Sequence, residues 1–303
     1  MRHETRRDSR GILDPGRLLR QVRFRRRLPA PALRPYVEHY WLIDWDLIEP
    51  FDQHVVPHPA VNMVFQAREG DPETGEIAGV GTGLFTVTLH GVGRVTGVQF
   101  RPGGFRPFWR RPVAELTGQR RPLPAGPPPA RAAPAKPFTA GPFTADPFAA
   151  GPFTADPFAA GPFTAGPVCP GGDDDRCRRL DDLLTGWGPV PDPLAAEATG
   201  LVEEIRADRS ILRVDDFARR HAVSIRRLQR LFLDHVGVGP KWVIRRYRLQ
   251  EAIEQAAAGP VDWSWVAADL GYADQAHLVR EFTTVAGVSP AAYARSLAGR
   301  GGG

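Results

Sequence analysis

Residues 218–240 read ARRHAVSIRRLQRLFLDHVGVGP, and residues 268–290, fifty positions later, read ADLGYADQAHLVREFTTVAGVSP. From residues 228 and 278 onward the two stretches share six identities in a single register, and Ser224 and Asp274 occupy equivalent positions. The identical pairs are Leu228/Leu278, Arg230/Arg280, Phe232/Phe282, Gly237/Gly287, Val238/Val288 and Pro240/Pro290. Agreement of this kind indicates an internal duplication.

Each copy has the pattern of a helix, a turn and a second helix. Ser224 and Asp274 are suited to cap the second helix, because their side chains accept hydrogen bonds from its first amides. Behind each cap, apolar residues recur three and four positions apart, as expected for a helix with one buried face. They are Ile225, Leu228, Leu231, Phe232 and Val236 in the first copy and Leu278, Phe282 and Val285 in the second.

A long connecting helix is predicted between the copies. Gly237 supplies a left-handed stop after the first copy, and Pro240 suits the first turn of a new helix. The apolar residues of 240–258 can seat this helix against both copies, and the Gly259-Pro260 pair ends it. A rigid connecting helix would fix the relative position of the two duplicated helices.

Polar side chains occupy the face of each second helix that points away from the core. A helix in the major groove reads base edges, where Arg pairs with guanine and Gln with adenine. The predicted base contacts are Arg226, Gln229 and Arg230 in the first copy and Gln275, Ala276, His277 and Arg280 in the second. The predicted phosphate contacts, which position without specifying sequence, are Ser224, Arg227, Lys241, Arg245, Arg246 and Asp274. The alternative for any Arg-rich helix face is simple solvation, and His277 is a candidate surface residue or phosphate donor.

This segment resembles the AraC/XylS-type DNA-binding domain, in which a long helix joins two helix-turn-helix units. The matching signature is A-x5-S-x3-L-x-R-x-F-x4-G-x2-P at 218–240, R-L-x2-A at 248–252, and A-x3-G-Y-x-D-Q-x-H-L-x-R-x-F-x4-G-V-S-P-x2-Y at 267–293. Trp263 and Trp265 depart from it, since the family often has smaller residues there. The resemblance implies a transcription regulator that binds double-stranded DNA at specific sequences. It implies a monomer or a homodimer, with RNA polymerase as a further candidate partner.

Residues 28–121 have the short, turn-rich runs of a small antiparallel sheet or barrel. The fragments YWLIDWD, HVVPHPAVNMVFQ and GVQFRPGGFRPFW resemble the β-rich domain that precedes this module in one branch of the family. That resemblance implies a sensory or dimerising role and an unidentified small-molecule effector. The candidates for either a ligand pocket or the aromatic core are Trp41, Trp45, His58, Phe65 and Phe100.

The fold class that follows is α+β, with a β-rich amino-terminal domain and an all-α carboxy-terminal domain. Between them, a pentapeptide x-Pro-Phe-[Thr/Ala]-Ala repeats six times over 136–165, and a Pro at every fifth position predicts a disordered, extended linker. The predicted segments are a basic flexible tail at 1–27, the β-rich domain at 28–121, the linker at 122–172, a helical connector at 173–207 and the DNA-binding domain at 208–298.

Charge alone is a weak indicator of nucleic-acid binding in this chain. The 303 residues contain 39 Lys+Arg and 34 Asp+Glu, and residues 1–27 hold ten of the Arg and only three acidic residues. The first 27 residues therefore carry a net charge of +7, and the remainder sums to −2. Most of the net positive charge therefore comes from the amino-terminal segment. The placement of Arg on two capped helices is stronger evidence for nucleic-acid binding than the charge of the whole chain.

Other classes of protein are disfavoured by the same sequence. No apolar run reaches the roughly 18 residues of a membrane helix, and the Arg-rich start lacks the apolar stretch of a secretory signal. Two Cys exclude a disulfide scaffold or a four-cysteine zinc site, which favours a protein of the reducing cytoplasm. Neither a cofactor nor catalytic activity is expected. Two alternatives stay open: a cupin-like metal-dependent enzyme using His54, His58 and His90, and an interaction protein that docks through the Pro-Phe repeat.

Overall fold

The computed structural model describes residues 11–124, 166–259 and 261–298, so the Pro-Phe repeat of 136–165 lies outside the described residues. The amino-terminal part is one antiparallel sheet with the strand order β1-β2-β5-β3-β4-β6. Its strands are β1 (Val22–Arg27), β2 (Val37–Val55), β3 (Asn62–Arg68), β4 (Thr74–Ala78), β5 (Phe85–Phe100) and β6 (Arg120–Pro122). The β-rich first part and the helical second part confirm the predicted α+β fold.

The helices are α1 (Pro15–Gln21), α2 (Arg106–Trp109), α3 (Asp173–Trp187), α4 (Pro193–Ala207), α5 (Val214–Arg220), α6 (Ile225–His235), α7 (Pro240–Ala258), α8 (Trp263–Asp269), α9 (Gln275–Ala286) and α10 (Pro290–Ala298). Short 3₁₀ turns occur at Pro31–Leu33 and Val113–Leu116. Among the described residues, no helix combines the length and the apolar character that crossing a membrane requires.

The sheet has two differently covered faces because side chains alternate along each strand. One face, which includes Tyr40, Phe65 and Phe100, packs with α3 in a buried apolar cluster. Cys169 and Cys177 lie in the same cluster as free thiols, and burial raises the pKa of each to about 12.

The opposite face of the sheet lines a cavity. Strands β2 and β5 pair along most of their length, but the register shifts between Leu47 and Phe51. A bulge of this kind bends a strand, and residues from both halves of the β2–β5 pair line the same cavity. Trp41, Trp45 and His58 are among the lining residues.

The amino-terminal segment differs from its prediction. Instead of a flexible tail reaching residue 27, α1 and β1 form over residues 15–27, and β1 pairs with β2. Two of its arginines are neutralised by the fold: Arg25 and Arg27 both donate to the Asp173 carboxylate, and the Arg25 guanidinium lowers the pKa of that carboxyl. The Arg-rich composition does not indicate a strand, because the acidic partner of Arg25 and Arg27 is distant in the sequence.

The two helices predicted as one connector, 173–207, pack in different places. Helix α3 covers the sheet, as described above, whereas α4 buries its apolar face in the core of the carboxy-terminal helices. That core contains Phe232, Leu249 and Phe282 together with four residues of α4, which are Ala198, Leu201, Val202 and Ile205. Helix α4 is therefore part of the structural support for the duplicated helices.

Candidate nucleic-acid interface

Helices α5 and α6 form the first helix-turn-helix unit. The turn between them passes through Ala222, whose φ of 52° is left-handed, and the amide of Val223 donates to the carbonyl of Ala218 at 3.0 Å. The Ser224 side chain caps α6 by accepting from the amide of Arg227 at 3.2 Å. Gly237, after α6, has a φ of 98°, which confirms the predicted left-handed stop.

Helices α8 and α9 form the second unit with the same construction. Gly271 supplies the left-handed residue of the turn with a φ of 66°, and the amide of Tyr272 donates to the carbonyl of Ala267 at 2.8 Å. The Asp274 carboxylate caps α9 by accepting from the amide of His277 at 2.6 Å. Leu278, Phe282 and Val285 are buried, as their spacing predicted.

The second turn is one residue longer than the first. The left-handed residues Ala222 and Gly271 are 49 positions apart, whereas the caps Ser224 and Asp274 are 50 apart. The additional residue places the ring of Tyr272 in the core of the second unit, with 7% of its surface exposed. The ring edge of His277 packs on it, with 5.3 Å between ring centroids.

Most of the predicted base contacts lie on exposed surface. Those exposed are Arg226, Gln229, Arg230, Gln275, Ala276 and Arg280. His277 is half-buried, and its Nε2 lies 3.9 Å from the Glu281 carboxylate. The amide oxygen of Gln275 accepts from the Ser264 hydroxyl at 2.9 Å, which ties the start of α9 to α8.

The predicted phosphate contacts have four different environments. Ser224 and Asp274 are occupied as caps, and Lys241 is exposed at the start of α7. Arg227 donates to both oxygens of Glu197 on α4 at 2.6 and 3.0 Å, and this pairing lowers the pKa of Glu197. Arg245 and Arg246 on α7 point into the protein.

Arg245 forms an ion pair with a buried carboxylate. Its Nε and Nη2 donate to Glu281 Oε2 at 3.0 and 2.8 Å, and the Glu281 side chain is only 1% exposed. This pair connects α7 to α9 and so contributes to the orientation of α9.

Arg246 is fully buried, which the sequence did not indicate. Its Nη2 donates to the carbonyl of Thr82 in the β-rich part at 3.0 Å, and its guanidinium lies 4.4 Å above the Trp242 ring. Burial lowers the pKa of this arginine to about 9. In this arrangement the guanidinium cannot reach a phosphate, and it holds α7 on the β-rich part instead.

Sequence reasoning missed an acidic row on α4 that faces the first unit. Glu197 pairs with Arg227, and Glu204 pairs with Arg220 and His221. The seven-residue spacing of Glu197 and Glu204 places both on one face of a helix, which is a signal available in the sequence. Their partners, 16 to 30 residues away, could not be assigned without the fold.

The three histidines proposed for a metal site have separate partners. His54 contacts Thr86, His58 contacts Tyr247 and His90 contacts Arg68. Within the described ranges, no group of three or more His, Cys, Asp or Glu side chains is arranged to hold a metal ion.

Two family models match this architecture. Residues 217–296 match a helix-turn-helix domain, which is the AraC-type unit, and residues 25–122 match a domain of unknown function (DUF6597). The chain carries an AraC-type DNA-binding domain. This domain supports a DNA-binding transcription regulator.

Solved structures of ToxT from Vibrio cholerae are similar to this chain at low identity. One, at 8% identity, covers 84% of this chain and 97% of that chain with a TM-score of 0.39. Another, bound to (E)-4-(8-methylnaphthalen-1-yl)but-3-enoic acid, has 10% identity, the same two coverages and a TM-score of 0.34. A comparison with curated proteins gives no match.

Proposed function

We propose that this protein regulates transcription by placing α6 and α9 in successive major-groove segments of double-stranded DNA, under control of its β-rich domain. The observation that carries the proposal is the duplicated frame. Two capped helices expose Arg230 and Arg280 at equivalent positions, while Phe232 and Phe282 anchor the opposite faces in the core. Because one chain holds both helices, a monomer can bind both segments.

The two recognition helices are expected to read DNA unequally. Arg226, Gln229 and Arg230 give the first helix three side chains with hydrogen-bonding ends, which suit guanine and adenine edges. On the second helix, Ala276 can contact only a thymine methyl, and Gln275 is already engaged by Ser264. The half-buried His277 is held against Tyr272. We therefore expect Arg280 to supply most of the discrimination by the second helix.

Arg227 and Lys241 are the cationic phosphate contacts that this geometry supports best. The Arg227–Glu197 pair is partly exposed and screened by solvent, so a phosphate can compete for the guanidinium. Ser224 and Asp274 serve as caps, and the anionic Asp274 side chain would repel a phosphate. Arg246 is left out because it is buried, and Arg245 because it neutralises Glu281.

Control by the β-rich domain is supported by direct contacts with the connecting helix. Tyr247 on α7 contacts His58 Nε2 at 3.3 Å, and Arg246 donates to Thr82 as described. Next to α7, the Thr117 hydroxyl of the β-rich domain donates to the carbonyl of Gly237 at 2.6 Å. Outside α7, the Tyr293 hydroxyl on α10 donates to the carbonyl of Leu13, which precedes the β-rich domain, at 2.7 Å. A rearrangement of the β-rich domain would thus be transmitted to the helix that spaces the two readers. Contact with RNA polymerase and a homodimer stay predictions from the sequence.

Selection from a random DNA pool with the full chain tests the proposal. We expect enrichment of a site with two elements about 10–10.5 base pairs apart, the spacing of one helical turn. The first element should be the more constrained. Failure to enrich any sequence above the starting pool would contradict the proposed function, and a single short element would contradict the use of two readers.

A further inference from the structure

Arg227 lies at the edge of the face that α6 exposes for DNA. With about 100° between successive residues of a helix, it points about 60° away from Arg230 and about 100° away from Arg226. Its own amide donates to the Ser224 cap, so it belongs to the first turn of α6, and the first residues of a recognition helix are those that meet DNA. In the proposed complex, the Arg227 guanidinium is therefore placed beside the base-reading side chains.

The Glu197 carboxylate binds this guanidinium as a phosphate would. Arg227 Nη1 donates to Oε1 at 2.6 Å and Nη2 donates to Oε2 at 3.0 Å, so both carboxylate oxygens are engaged. Two parallel hydrogen bonds of this kind are the geometry in which arginine binds carboxylates and phosphates alike. A DNA phosphate that takes these two donors must displace Glu197, so the two anions compete for Arg227.

Helix α4, which carries Glu197, is held from another side by the β-rich part. Thr199 and Arg206 are seven residues apart and share one face of the helix. The Thr199 hydroxyl donates to the carbonyl of Pro102 at 2.8 Å, and Arg206 Nη1 donates to Glu38 Oε1 at 3.4 Å. The position of Glu197 beside Arg227 is therefore set by the contact of α4 with the β-rich part.

The second unit is built differently at the equivalent position. His277 stands where Arg227 stands in the first unit, and its ring packs on Tyr272. The carboxylate near it, Glu281, already accepts two hydrogen bonds from Arg245. Of these two equivalent positions, only the one in the first unit places a guanidinium on a carboxylate that lies outside the unit.

We propose that Glu197 occupies the phosphate-binding end of Arg227 until DNA displaces it, so that α4 lowers the affinity of the first unit for any duplex. This inference rests on the proposed function, because it requires α6 to meet DNA. The displacement costs the same on every sequence, since phosphates carry no sequence information. A duplex that offers only phosphate contacts meets this cost with fewer favourable contacts than a specific site does.

Affinities of the full chain for a selected site and a scrambled duplex, at one low salt concentration, test the competition. Glu197→Gln removes the charge and keeps the size of the side chain. It should tighten binding to both duplexes about two- to five-fold, the scale of a partly exposed ion pair. Glu197→Ala should give a gain of similar size. Unchanged affinities in both variants would overturn the proposal.

Asp182→Asn is the matched control, because it removes one negative charge from an exposed position on α3. It should leave both affinities unchanged. The thermal unfolding of the Glu197 variants should differ little from that of the wild type, because the pair with Arg227 is partly exposed. A gain in Asp182→Asn as large as that in Glu197→Gln would assign the effect to net charge and overturn the proposal.

A double-mutant cycle with Arg227→Gln separates competition from simple repulsion of DNA by Glu197. Competition predicts a larger gain from Glu197→Gln when Arg227 is present than when it is absent, because only then does the substitution release a guanidinium. Equal gains in the two backgrounds would mean that the carboxylate only repels DNA, and would overturn the proposal.

The scrambled duplex also separates this inference from the proposed function. A chain that binds both duplexes equally, and gains affinity in Glu197→Gln through Arg227, would refute sequence-specific regulation alone. A chain that prefers the selected site but shows no gain in Glu197→Gln would refute this inference alone. Absence of binding to either duplex would refute both.

Discussion

Arg245→Met should lower the free energy of unfolding by about 3–5 kcal/mol, the usual effect of removing one member of a buried ion pair. Among the described residues, only Arg245 donates hydrogen bonds to the Glu281 carboxylate. Both bonds go to Oε2, and Oε1 has no hydrogen-bond partner within the described part of the chain. Without the guanidinium, a carboxylate that is 1% exposed would lose its hydrogen-bonded cation and keep only the more distant His277, whose Nε2 lies 3.9 Å away. Urea unfolding measures the loss.

The double variant Arg245→Met/Glu281→Met is the matched control. Replacing both members of a buried pair by apolar residues is often neutral, so the double variant should recover most of the stability. A role of Arg245 at phosphate predicts the opposite pattern. Stability would then be unchanged in Arg245→Met, and the salt dependence of DNA binding would fall by about one charge.

The double variant Arg230→Ala/Arg280→Ala should lose about 2–6 kcal/mol of specific DNA-binding free energy. Each arginine that reads a guanine is worth about 1–3 kcal/mol, and the two lie on different recognition helices, so the losses should be nearly additive. Both side chains are exposed, and neither supports the core. Unfolding should therefore stay unchanged.

Affinities for a selected site and for a scrambled duplex, at one salt concentration, measure this loss. Arg178→Ala removes one positive charge from α3, as each of the single variants Arg230→Ala and Arg280→Ala does from its own helix, and is expected to affect neither duplex. Each single variant should relax a different element of the site. Equal losses on the selected and the scrambled duplex would mean that these arginines contact only the backbone.

The parts of the interface that could be predicted are those specified locally. Ser224, Asp274 and Gly237 act through the backbone within a few residues. The spacing of apolar residues identifies each buried face, except that Ile225, in the first turn of α6, is 42% exposed. The duplication repeats the same cap and the same apolar spacing in a second copy, which supports the assignment of each unit. For this reason the two units and their exposed faces follow from the sequence.

The parts that could not be predicted depend on partners brought together by the fold. The sequence shows Arg245 and Arg246 as neighbouring cations, yet one pairs with Glu281 and the other donates to Thr82, 164 residues away. The Arg-rich residues before Leu28 have the composition of a flexible tail, yet Arg25 pairs with Asp173, which lies far along the chain. Long-range neutralisation of charge is invisible in local composition.

Hydroxyl-radical footprinting of the full chain on a selected DNA site tests the central claim most directly. The account predicts two protected segments on one face of the duplex, about 10–10.5 base pairs apart, from a single bound chain. Arg230→Ala should weaken protection mainly at one segment and Arg280→Ala mainly at the other. One protected segment per chain, or two segments that both variants weaken equally, would contradict the account.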